Sequence, residues 1–457
     1  VGGAIEELYP DRLEEFYEVL AHHYSRSGNS DKAYQYLKLA GNKATRGYSN
    51  WEAFRFYKEA VNLVNKLPES EENKRRGIEV RLLIEGPMRA LAHPEDSLQI
   101  LEEGERLAKE VGDQRSLARL YGAIGCYYTV RGQTLQSTEY CQNAFREAEM
   151  MQDIEIMAPL AFELCVGYNT RGEFLRTAEV APKVIALLEK TQRESEFFFP
   201  PFCIYSSLLA MYGAAMGNLG DFEAGEALCG KGLRFATEMD DLYSIGWVEV
   251  QYGILFNGRG DGKNAVEHAQ SAVRICEERQ VLVIAGVAWA VLGQGYYLLG
   301  EMETARKHIE RALKIQNDAG LSHFLSLCYW ALSIVHFYSG DLKSAQSCIG
   351  EALRWSQNNN EKWIEGQSWV WEGRILAKAD PSQTDRAEEY IVQGIKILDK
   401  LQAKSILSQG YLCLGEFYAD AGQKEKALEN LKKAEAMFQE MRMDYWLRRA
   451  QSAIEKL

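Results

Sequence analysis

Between Leu321 and Ser356 the apolar residues recur three and four apart, the spacing of one helix face, and the pattern breaks at Ser339-Gly340-Asp341. This predicts one helix from about Leu321 to Tyr338 and a second from about Leu342 to Ser356. Gly340 is placed to take the left-handed conformation that closes the first helix, and Asp341 to cap the second. Tyr329, Ser333 and His336 fall on one face of the first helix, while Ala345 and Ala352 are small enough to let the two helices approach closely.

The unit repeats. Gly260-Asp261 to Ala265, Gly300-Glu301 to Ala305 and Gly340-Asp341 to Ala345 stand 40 residues apart, and Gly220-Asp221 and Gly422-Gln423 to Ala427 carry the same signature. A period of this length marks a solenoid of helical hairpins, none of which can bury its apolar face alone. Each predicted first helix has a small residue at its middle: Ala21, Gly125, Cys165, Gly213, Gly253, Gly293, Ser333, Gly373 and Gly415. Four positions earlier, six of the nine residues are aromatic (Tyr17, Tyr121, Trp289, Tyr329, Trp369 and Tyr411), which identifies a packing position between helices.

Three places break the rhythm. Eight residues are inserted around Glu194 to Phe202, where Pro200 and Pro201 must interrupt helix and Phe197, Phe198, Phe199 and Phe202 would be costly to expose. Asp380-Pro381-Ser382-Gln383-Thr384 replaces a glycine turn. Gly47 follows Gly28 by only 19 residues, so the helix from about Asp31 to Arg46 must close one hairpin and open the next. The polar stretch Pro68 to Arg76 is a candidate joint. It divides the chain into N-terminal repeats (1–67), a main solenoid (73–444) and a C-terminal capping helix (445–457), in which Arg448, Arg449 and Lys456 would keep an outer face wet.

Composition narrows the function. With 52 Lys and Arg against 65 Asp and Glu, the formal charge of −13 disfavours a nucleic-acid backbone or an anionic membrane surface. No apolar run is long enough to span a bilayer, and Val1 to Leu8 lacks the pattern of a signal peptide. The nine cysteines form no CxxC pair and sit at helix-period positions, so they read as small core residues of a reducing compartment, the cytoplasm. No HExxH and no GxxxxGK[ST] occurs, and Gly258 to Asn264 fails the spacing and the hydroxyl of a phosphate loop. Asp240-Asp241 lacks converging carboxylates. The chain reads as non-catalytic, without cofactor or metal.

The pattern of aromatic, Leu292-Gly293, Tyr296, Gly300-Glu301, Ala305 and Ala312 resembles the tetratricopeptide (TPR) family over nearly the whole chain, with helices longer than in the common repeat of about 34 residues. The resemblance implies an all-α, TPR-like α-solenoid, a right-handed superhelix of about ten hairpins whose first helices line a concave surface. On that surface the repeat frame places Asn169, Asn257, Gln294 and Arg374 as polar contacts and Tyr297, Trp330 and Phe337 as apolar anchors, with Phe197, Phe198, Phe199 and Phe202 as docking candidates on the insertion. Trp330 and Phe337 would equally serve as packing between repeats if curvature is tight.

The opening run, Leu8-Tyr9-Pro10-Asp11-Arg12-Leu13 and Leu20-Ala21-His22-His23-Tyr24 through Ala44, is similar to the start of the TPR array in bacterial STAND-type signalling ATPases. It is especially similar to those that carry an adenylate/guanylate cyclase domain. The resemblance implies a sensor arm of a larger ATPase, binding a small-molecule inducer or a protein or peptide partner. The alternative is a freestanding scaffold for protein assembly.

Overall fold

The structure, a computed structural model, describes residues 1–198 and 202–457. Among these residues it is a succession of antiparallel α-helices without a strand, from Gly2–Leu8 to Asp444–Glu455. The repeating unit is a hairpin: Leu242–Arg259 pairs with Gly262–Arg279, Leu282–Leu298 with Met302–Asp318, Leu325–Tyr338 with Leu342–Asn358, and Lys404–Asp420 with Lys424–Glu440. The caps form where the sequence places them. Gly340 has φ 82°, and the side chain of Asp341 accepts from Ser344 N at 3.1 Å.

The small residue at mid-helix is required by its partner helix. A Cβ on Gly373 would lie 2.4 Å from the carbonyl oxygen of Ala387, and one on Gly125 2.6 Å from Cys141 Sγ. The recurrent aromatics clasp a single ring on the second helix. Tyr121 and Tyr128 hold Tyr140 at 5.8 and 5.6 Å, and Trp289 and Tyr296 both hold His308 at 5.1 Å. Where Glu249 stands in the aromatic position, it hydrogen-bonds His268 instead, and Phe256 stacks on that imidazole at 5.3 Å. His268 and His308 are therefore packing residues of the hairpin.

A direct check follows from these contacts. Gly373→Ala pushes a methyl into rigid helix backbone and is expected to cost about 1–3 kcal/mol in urea unfolding. Gly350→Ala, inside a helix with nothing within 4 Å of the new methyl, is expected to gain about 0.5–1 kcal/mol.

The helix Ser30–Arg46 packs between Tyr17–Ser25 and Asn50–Val64, closing one hairpin and opening the next. Across the polar stretch that follows, Ser70 caps the helix Glu71–Leu83, Tyr34 OH donates to Glu79 at 2.7 Å, and Arg76 pairs with Asp31 at 2.6 Å. One cluster of buried side chains runs from Leu20 to Ile124 through this region. In the insertion, Phe202 is buried against Phe162 and Tyr243, at 5.0 and 4.7 Å, and Phe198 is buried as well. Phe197 is half exposed, and Phe199 lies outside the described residues. Asp241 is a structural carboxylate: it accepts from Cys203 N at 2.7 Å and from Ser244 Oγ at 2.5 Å. The nine cysteines are free thiols, eight of them buried, and burial pushes Cys165 up to about 12.

The solenoid winds far enough for one superhelical turn to touch the next. Thr134 Oγ1 donates to Asn359 O at 3.1 Å, Trp363 Nε1 to Thr170 O at 2.9 Å, and Asn50 Nδ2 to Arg279 O at 3.2 Å, between residues 225, 193 and 229 apart in sequence. The loop before Leu325 bends inward, with Ser322 N donating to Val130 O at 2.9 Å and Phe324 at φ 60°. That contact shortens the helix predicted from Leu321, which starts instead at Leu325. Turn glycines divide accordingly. A Cβ on Gly132 would meet Asn359, one on Gly172 Trp363, one on Gly220 Met441 and one on Gly260 Tyr445, whereas Gly300, Gly340 and Gly422 have nothing within 4 Å.

Candidate functional site: an enclosed superhelical channel

Because successive turns touch, the concave surface is the wall of a channel. Its wall is built from the first helices of the hairpins between Gln114–Val130 and Lys404–Asp420, completed by the terminal helix Asp444–Glu455. The space open to the centres of water-sized molecules is about 170 Å³, more than ten times what a single water requires at about 10–15 Å³. The lining follows the repeat. Counted from the small mid-helix residue, positions −6, −3, −2, +1, +4 and +5 supply most of it, and at 100° per residue these six fall within one arc of about 120°. Around Gly253 that stripe holds Trp247, Ile254, Asn257 and Gly258; around Gly293 it holds Val287, Gln294, Tyr297 and Leu298.

The structure brings Asn169, Asn257, Gln294, Tyr297 and Trp330 to this wall. Two of them are partly occupied. Asn169 donates to Met211 O at 3.0 Å and accepts from Thr177 Oγ1 at 2.7 Å, and Asn257 donates to Val291 O at 2.9 Å, so both asparagines tie one first helix to the next. Asn257 Oδ1, Gln294 Nε2 and Trp330 Nε1 have no hydrogen-bond partner. Such buried orphan groups cost about 1–3 kcal/mol each and call for a reason.

Phe337 and Arg374 do not belong to the wall. Phe337 packs edge-on to Trp371 at 5.5 Å, the packing alternative. Arg374 is held by Asp420 at 3.0 Å and Glu416 at 3.5 Å, so its charge is met within the chain. Arg449 corrects the expectation for the terminal helix. It turns inward to the channel and makes a two-pronged pair with Glu416 at 2.8 Å, because the last helix packs back against the helix Lys404–Asp420.

The sequence frame did not reach Trp247, Gln367 and Gln409, all at position −6, nor Trp363, Trp371 and Trp446. Continuing the −3 stripe one helical turn towards the N-terminus would have found the first three. Nor did it find the buried charges at Arg89, which pairs with Glu85 at 2.7 Å and Glu163 at 2.6 Å. Those three come together only when the short helix Glu85–Ala90 packs across the array. Burial raises the Glu163 carboxyl and lowers the nearby His93 imidazole to about 3, leaving the ring uncharged. No group of three or more His, Cys, Asp or Glu suited to a metal occurs among the described residues, and no described helix is long and apolar enough to cross a membrane.

Hairpins of this form, wound so that their first helices line a channel, define a TPR-like helical repeat array. Within it, residues 246–454, rather less than half the chain, match the family model of the MalT-like TPR region, MalT being a STAND ATPase. No curated protein matches the chain. Among solved structures it is similar to a Rap protein complexed with competence and sporulation factor, at 10% identity over 94% of this chain and 99% of that one, with a TM-score of 0.48. Aspartyl phosphate phosphatase F from Bacillus subtilis matches at 13% identity over 87% and 91% of the two chains, with a TM-score of 0.39. The apo form of RapI matches at 12% identity over 71% and 98%, with a TM-score of 0.40.

Proposed function

We propose that this chain is a non-catalytic sensor arm of a larger signal-transduction ATPase, of the STAND type, and that it binds a small-molecule inducer inside the superhelical channel. Residues 1–67 join the arm to the ATPase, and a nucleotide cyclase is the effector that the opening run favours. The observation that carries the reading is the narrowness of the channel between touching turns. Contacts such as Gly172 with Trp363 close the concave face, and unpartnered polar groups at Gln294 and Trp330 remain in its wall. A channel this narrow suits a small ligand better than a folded partner. Wall residues from both superhelical turns can touch one ligand, so a ligand that fits one pitch better than another shifts the arm between two arrangements.

The test is native mass spectrometry of the full chain after incubation with lysate from its own organism. The expected result is a retained small molecule that is lost in Trp330→Ala while circular dichroism stays unchanged. A retained protein, with no small molecule, would favour the scaffold reading instead.

A further inference from the structure

The chemistry of the channel wall also narrows the ligand, a step that rests on the sensing role proposed above. Five of the chain's nine tryptophans line the channel: Trp247, Trp330, Trp363, Trp371 and Trp446. The charged groups that reach the same wall already have partners in the chain, Arg89 with Glu85 and Glu163, and Arg449 with Glu416. His323, also in the wall, is held uncharged by burial. A carboxylate or phosphate entering here would lose its hydration and find no cation free to meet it. An uncharged aromatic ring would instead be buried among indoles, which favour stacked and edge-on contacts.

One position offers direction as well. Asn257 uses its amide on Val291 O, which leaves Oδ1 without a donor, and Gln294, one helical turn beyond Val291, has Nε2 without an acceptor. An unmet acceptor and an unmet donor on neighbouring helices match a group that both gives and takes a hydrogen bond. We propose that the channel binds an uncharged aromatic molecule carrying one hydroxyl or amine group, seated between Asn257 and Gln294. Nucleotides, sugar phosphates and peptides with charged ends are excluded by the same wall.

Two dyes that differ mainly by one sulfonate test this on the full chain: uncharged N-phenyl-1-naphthylamine and anionic 8-anilinonaphthalene-1-sulfonate. The uncharged dye is expected to quench tryptophan emission and to bind at least about tenfold more tightly than the anionic one, a difference of about 1.4 kcal/mol. Gln294→Lys, which sets an ammonium in the wall, is expected to weaken the uncharged dye about tenfold and to admit the anionic one, with circular dichroism unchanged. Should that variant not fold, Gln294→Ala is expected to weaken the uncharged dye about threefold, the loss of one hydrogen bond.

If the wild-type chain binds the sulfonate as tightly or more tightly, and the Gln294 variants alter that binding, the ligand class is wrong while the sensing channel stands. If neither dye binds, or a folded Gln294 variant binds both as the wild type does, the assignment of an uncharged aromatic ligand at Asn257 and Gln294 falls, while the sensing role is decided by the lysate experiment above.

Discussion

Gly172→Ala is expected to loosen the superhelix while leaving its hairpins intact, and Gly340→Ala is not. Both glycines close a first helix at nearly the same backbone angle, φ 84° and 82°. An alanine at either site therefore meets the same left-handed strain, about 1–2 kcal/mol. Their surroundings differ. At Gly340 the methyl meets nothing within 4 Å, but at Gly172 it lies 2.8 Å from Trp363 Cβ and 3.2 Å from Leu401 Cδ1. Trp363 Cβ is the root of its side chain and cannot swing aside without moving its helix. The added overpacking is about 1–3 kcal/mol and falls on the contact between superhelical turns. Trp363 would part from Thr170 O, and its ring from Phe174, now 6.3 Å away. Small-angle X-ray scattering should show a larger radius of gyration for Gly172→Ala alone, with helix content by circular dichroism equal in both variants. Equal radii would mean that the turns are not held through this contact.

The second large effect concerns pH. Glu361 is fully buried, and its partners are uncharged: Phe324 N at 3.0 Å, Ser326 Oγ, and Asn359 Nδ2 at 3.4 Å. Burial raises its carboxyl from 4.5 to about 7. The folded chain thus holds this proton more tightly than the unfolded chain. Its contribution to stability is fully present below pH 4.5 and is lost as pH rises through about 7. The full span is about 3 kcal/mol by linkage. Glu163, raised by burial beside Arg89, shifts in the same direction. His93 and His323, lowered by burial to about 3 and about 4, shift stability the opposite way as pH rises to 6.5. The effect is therefore read as a difference between chains: Glu361→Gln, which keeps an acceptor but cannot ionise, should lose less thermal midpoint, or gain more, than the wild type between about pH 5 and pH 8. The same pH dependence in variant and wild type would show that burial does not hold the Glu361 proton in the fold.

Much of the architecture was legible because each hairpin is a local object. The glycine that ends a first helix, the aspartate that caps the next and the small residue facing the partner helix all lie within one period, so their spacing carries the structure. The clasp of Trp289 and Tyr296 on His308 is a relation between residues fewer than 20 apart, and it shows as a recurrent aromatic position. The channel wall was legible in part for the same reason. Position +1 of the frame lines it at Cys126, Val166, Ala214, Ile254, Gln294 and Ile334.

Residues whose partners lie in another repeat or another superhelical turn gave no such signal. Arg374 follows the frame as a concave position, yet it ends among Glu416 and Asp420. Arg449 looks like a surface residue of a terminal helix, yet it closes on Glu416 inside the array. Gly132, Gly172, Gly220 and Gly260 read as ordinary turn glycines, and nothing near them in sequence separates them from Gly300 and Gly340.

The amino-acid sequence by itself determined the repeat, its phase, the caps and the face each first helix turns inward, because all of these depend on residues close along the chain. Only the tertiary structure decided that the concave face is enclosed. Curvature sums small rotations at every repeat interface, and no local pattern encodes that sum.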